Sequence, residues 1–67
     1  MTYVEIKPLG DSFRIRLVPE REDGEVVVSN AAFLGPMMGE LGVRETGPWE
    51  TLTDDDGDTF QRALVIG

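Results

Sequence analysis

The chain has no cysteine and no histidine, and only one lysine, one tryptophan and one tyrosine among its 67 residues. Without cysteine there is no disulfide framework, thiol nucleophile or thiolate metal site. The missing disulfides favour an intracellular, cytoplasmic location, because small secreted domains usually depend on them. Without histidine there is no imidazole base, no histidine metal ligand and no intrinsic switch near neutral pH. Most small-hydrolase mechanisms are removed together. Ser12 and Lys7 stand as a lone hydroxyl and a lone amine, with no specificity as a nucleophile and its base. Paired carboxylates would need a cleft holding two different environments to split their pKa values, and a chain this short can hardly enclose one. A non-enzymatic protein is expected, with no cofactor: neither G-x-G-x-x-G nor G-K-[ST] occurs. No apolar run approaches the ~20 residues of a membrane span, and Met1-Thr2-Tyr3-Val4-Glu5 lacks the basic and apolar regions of a signal peptide.

What is abundant is negative charge. Thirteen acidic side chains face six basic ones, for a formal charge of −7. A polyanion is repelled by nucleic acid and anionic membranes, and is drawn to basic surfaces. The hydrophobic share, 40%, is that of an ordinary globular domain. The length allows one domain, residues 1–67, with a thin core.

Alternation of apolar and polar residues marks strands. Residues 2–8 alternate, with Val4 and Ile6 on one side and Tyr3, Glu5 and Lys7 on the other, Tyr3 more exposed than buried. Residues 13–18 repeat the pattern, Phe13, Ile15 and Leu17 inward and Arg14 and Arg16 outward. The turn chemistry of Leu9-Gly10-Asp11-Ser12 between them predicts a hairpin in which Glu5 lies across from Arg14 or Arg16. Pro19 ends the second strand, 20–24 reads as a charged loop with a turn at Asp23-Gly24, and 25–28 is a short third strand. Ser29-Asn30 offers N-caps for a helical stretch over 31–41, which Gly35-Pro36 is expected to break in two. Residues 49–53 and 59–66 read as two further strands around an Asp-Gly turn, with 63–66 covered on both faces. The expected fold is α+β: a small, mostly antiparallel sheet in the order β-β-β-α-β-β, with one short or broken helix on one face.

Ten of the thirteen acids gather in or beside three places: Glu20, Glu22, Asp23 and Glu25; Glu50; and Asp54, Asp55, Asp56 and Asp58 together with Asp11. The 54–58 run lacks an acid at Leu52 and a glutamate at Ala63, so it is not an EF-hand loop. It reads as a β-turn with aspartate caps and a left-handed Gly57, as a charged recognition loop, or as a weak divalent-cation site outside any motif. Carboxylates two apart on an extended segment stand ~6.6 Å from each other on one side, a row that suits a groove lined with arginine and lysine. A solubilising surface explains the same charge. Trp49 is either core or an interface anchor. Phe33, Met37, Met38 and Leu41, at helical spacing, read as core.

In composition, with the two acidic stretches 20–25 and 54–58 on a chain without histidine or cysteine, the protein resembles the small acidic inhibitors that phages and mobile elements encode against host defence, such as anti-CRISPR and anti-restriction proteins. That resemblance implies stoichiometric occupation of a partner's nucleic-acid-binding surface. On this reading Glu20, Glu22, Asp23, Glu25, Trp49, Asp54, Asp55, Asp56 and Asp58 contact a basic protein surface of a nucleic-acid-handling complex. The alternative is a structural or interaction domain, a monomer or a homodimer that closes a sheet edge.

Overall fold

Gly10, with φ +67°, turns the chain between two seven-residue strands, β1 (Tyr3–Leu9) and β2 (Ser12–Val18), which pair antiparallel from Tyr3↔Val18 to Leu9↔Ser12. The computed structural model of the chain describes residues 1–19 and 21–67, with side chains described outside 21–24. The third strand, β3, runs over Arg21–Val28 and pairs with β2, with an irregularity between Ile15 and Leu17. The charged stretch expected to be a loop is thus strand from Arg21 onward, and β3 passes through Asp23-Gly24 without the expected turn. Glu20, the first acid of that stretch, lies outside the described residues.

β4 (Glu50–Thr53) and β5 (Thr59–Leu64) form a second antiparallel hairpin, and β5 pairs with β1 through Val4↔Ala63 and Glu5↔Arg62. The chain therefore makes one antiparallel five-stranded sheet with a short helix, an α+β fold. Its order across the sheet is β3-β2-β1-β5-β4, so the last strand, not the fourth, lies beside the first. β5 also stops before its expected end. Beyond the strand Val65 makes an isolated bridge to Thr46 and donates to Thr2 O at 2.8 Å, and Ile66 is exposed, not covered on both faces. Trp49 precedes β4 and is 41% exposed.

Between β3 and β4 the chain crosses one face. Asn30 accepts a hydrogen bond from the Ala32 amide and caps a single 3-10 turn, Ala31–Phe33, which leads into the helix α1 (Leu34–Glu40). The expected break at Gly35-Pro36 does not occur. Pro36 stands in the first turn of α1, where backbone N–H groups have no partner within the helix, so the missing donor costs nothing. The change of geometry comes earlier, where Phe33 gives way to Leu34. At the other end Gly42, φ +87°, donates to Gly39 O while Val43 donates to Met38 O at 2.9 Å. This paired closure satisfies two otherwise orphaned carbonyls and needs the left-handed residue between them.

The core follows from strand parity. Val4 and Ile15, both 0% exposed, with Val28 and Ala63, line the helix-covered face. Leu34, Met37, Met38 and Leu41 pack against them, and Val43 closes the edge. No described helix is long and apolar enough to cross a membrane.

Candidate protein-binding surface

The opposite face of the sheet has no helix, and charged side chains cover it. Register places Glu5 level with Arg16 on one side and Arg62 on the other, Lys7 level with Arg14, Arg14 level with Val27, and Glu50 level with Arg62. Four of the six cations of the chain, Lys7, Arg14, Arg16 and Arg62, therefore share this face. Each has a carboxylate. Arg16 Nε donates to Glu5 Oε1 at 2.9 Å and Arg62 Nη2 to Glu50 Oε1 at 3.1 Å. Arg14 Nε stands 3.7 Å from Glu25 Oε2, a charge contact beyond hydrogen-bond reach. The Arg62 guanidinium also lies 4.5 Å above the Tyr3 ring, a cation–π contact that leaves Tyr3 half-buried, not mostly exposed as alternation predicts. Glu5, expected on the solvated side, is only 8% exposed, because long side chains from both neighbouring strands lie over it.

The 54–58 turn is built around Asp54. Its Oδ1 accepts from the Asp56 and Asp58 amides, both at 3.0 Å, while Asp54 N donates to Asp58 O and Gly57 N to Asp54 O. Gly57 takes φ +85°. This is an aspartate-organised turn, in which the side chain stands in for a backbone acceptor. The other oxygen, Oδ2, receives Lys7 Nζ at 2.7 Å, and the same ammonium lies 3.4 Å from Asp58 Oδ2. The hydrogen bond with Asp54 raises the Lys7 pKa above its ordinary value, against a smaller opposing effect of partial withdrawal from water. The same bond, helped by the two amides, lowers that of Asp54. Carboxylate oxygens of Asp54, Asp56 and Asp58 come within 4.8 Å of one another, close enough for one cation. A protein cation, Lys7, already bridges two of the three. A divalent ion would have to displace it.

The residues that sequence reasoning groups as one binding surface are divided by the sheet. The β1–β2 turn and the 54–58 turn project from the same end, since Leu9↔Ser12 and Thr53↔Thr59 close hairpins whose inner strands, β1 and β5, are neighbours. Asp11, Asp55 and Asp56 therefore lie together with Asp54 and Asp58 at this upper end. β3 begins at the lower end, where Arg21 pairs with Leu17 and Leu17 with Val4, so Glu22 and Asp23 lie there, on the opposite edge. Glu25 is partway along β3 and turned to Arg14. Trp49 stands at the lower end of β4, ~16 Å along an extended chain from Asp54. These positions stand at different ends and edges of the sheet. Reading the strand order would have separated them, but charge sums along the chain carry no information about pairing.

Among the described residues, Asp11, Glu40, Glu45, Asp55 and Asp56 carry carboxylates without an ion pair. Three of the five are at the upper end. The described residues enclose no pocket. Compared with protein-family models, curated proteins and solved structures, the chain finds no match.

Proposed function

We propose that this protein is a non-enzymatic acidic binding protein. Its upper end docks on a basic, nucleic-acid-binding surface of a partner and blocks it stoichiometrically, in the manner of the small anti-CRISPR and anti-restriction inhibitors. One observation carries the reading: the sheet gathers five carboxylates, Asp11, Asp54, Asp55, Asp56 and Asp58, on two adjacent turns against one ammonium, Lys7. Asp55 and Asp56 have no cation of their own, so docking on arginine or lysine does not first require breaking a pair. Asp54 holds the turn, which presents those two carboxylates in a fixed geometry and lowers the ordering cost of binding. Glu22, Asp23 and Trp49 have no part in this surface. The binding residues are the upper-end aspartates alone.

Affinity capture from host lysate, repeated across a salt series, tests the proposal against a variant with Asp11→Asn, Asp55→Asn and Asp56→Asn. The expected result is a basic nucleic-acid-binding protein held at low salt, released as salt rises, displaced by added duplex DNA, and absent with the triple variant. Capture that is indifferent to salt, to DNA and to the triple substitution would overturn it.

A further inference from the structure

We propose that β3 is a self-association edge, through which two copies of this chain pair β3 to β3, antiparallel about a two-fold axis, and join two five-stranded sheets into one. The inference does not depend on the docking role of the upper end.

The two edges of the sheet differ in what they offer. β4 is four residues long, with Glu50, Thr51 and Thr53 exposed. β3 is eight residues long, contains neither proline nor lysine, and ends in Val26-Val27-Val28. No described strand pairs with its outer side. Natural edges are blunted by short length, proline, lysine or a bulge. β3 has an irregularity in its pairing between Ile15 and Leu17, but Val26-Val27-Val28 beyond it pair regularly with Ile15, Arg14 and Phe13 and carry no proline or lysine. Val27 is 55% exposed, on the open face beyond Arg14. Phe33, five positions past Val28, is also exposed.

Charge selects the occupant and the register. In a two-fold antiparallel pair the axis passes beside a residue that faces its own copy. An axis at Glu25 sets its carboxylate against that of the second copy, which is destabilising. An axis at Val26 faces Glu25 with Val27, and an axis at Val27 faces Glu25 with Ser29, so no acid meets an acid. The valine run is thus self-complementary, which a chance partner strand need not be. The 54–58 turn joins the two strands farthest from β3, between three and four strand spacings away, or ~17 Å. That is about twice the ~8 Å Debye length of physiological salt, and the two turns of a pair stand farther apart still. The acidic ends of two paired copies therefore scarcely repel each other.

Strand pairing with two added apolar side chains buries less than a standard interface of about 1,600 Å², so the dimer dissociates on dilution. Both copies are acidic, so rising salt strengthens this association, whereas it weakens docking on a basic partner. That opposite sign separates failure of one proposal from failure of the other.

Sedimentation equilibrium of the full chain, over a wide concentration range at low and high salt, gives the test. Wild type is expected to show a monomer–dimer equilibrium that moves toward dimer with salt. V27E is expected to stay monomeric, since the introduced carboxylate would meet its own copy or Glu25. V27K is expected to lose dimer with the axis at Val27, or gain it with the axis at Val26, where the introduced ammonium faces Glu25. Because Val27 is largely exposed, both variants should keep the wild-type circular dichroism, and amide exchange in β3 of the unmodified protein, slowing with concentration, gives a second readout. A wild type that is monomeric throughout overturns the proposal and leaves the edge to another chain's strand. A dimer unchanged by both substitutions overturns it as well.

Discussion

On the helix-covered face of the sheet Val4 and Ile15 lose all contact with solvent, while on the other face Glu5 and Lys7, each in an ion pair, are nearly as well covered. The difference lies in what does the covering. Apolar side chains from α1 shield the first face, and their contribution scales with area removed from water. The second face is shielded by the stems of Arg14, Arg16 and Arg62, whose charged ends must each find a carboxylate. The first face supplies stability without direction. The second contributes less energy but fixes the register of the pairing, because a one-residue slip would turn every cation away from its partner.

The sharpest way to break this comparison is to cut into each face at its most covered residue. Ile15→Ala removes a fully buried side chain beneath α1 and is expected to cost ~2–5 kcal/mol, out of a total that at 0.05–0.15 kcal/mol per residue is only about 3–10 kcal/mol. In urea titrations the variant should be largely unfolded or close to it. Glu5→Ala, on the other face, strands Arg16 Nε beneath its neighbours and should cost about 1–3 kcal/mol. Glu50→Ala, whose carboxylate is 55% exposed, should cost about 0–1 kcal/mol. Equal losses at Glu5 and Glu50 would mean that the charged face confers no specificity by burial. A loss at Glu5 as large as that at Ile15 would mean that the two faces are not energetically distinct.

Much of this fold is legible in the sequence because alternation is local. Residues 3–9 and 12–18 carry their own period of two, and Gly10-Asp11 between them leaves little choice but a hairpin. The position of β5 beside β1 is not legible. Nothing in Thr59–Leu64 names a partner strand, and the order is set by which arrangement buries Ala63 against Val4. The burial of Glu5 is hidden for the same reason, since half of its cover is Arg62 from the far end of the chain. Gly35-Pro36 reads as a break because composition alone does not say how far into a helix a proline stands. The acidic surface is half legible. The sequence shows 54–58 with Asp11 as one group, but it cannot show that Glu22 and Asp23 belong to the opposite corner of the sheet.

The smallest expected effect is also the one that ties the charged face to the acidic end. Lys7 belongs to the face by its strand and to the upper end by its bonds with Asp54 and Asp58. Asp54, with its pKa lowered, adds stability that is present above its ordinary value of 3.8 and is lost as pH falls through the lower folded value. Lys7, with its pKa raised, adds stability that is complete below 10.5 and is lost as pH rises through the higher folded value. Asp54→Asn keeps an oxygen for the Asp56 and Asp58 amides and removes the charge alone. Its melting temperature should therefore lie slightly below wild type near neutrality and converge with it in acid, where the wild-type carboxyl is itself neutral. Lys7→Met should converge at the alkaline end instead, and the double variant should lose less than the two single losses added together. A constant gap between Asp54→Asn and wild type down through the acid range would show that the carboxylate charge contributes nothing. Asp54 would then act only as a shaped acceptor, and Lys7 would be free to leave the turn for a partner's anion or be displaced by a cation.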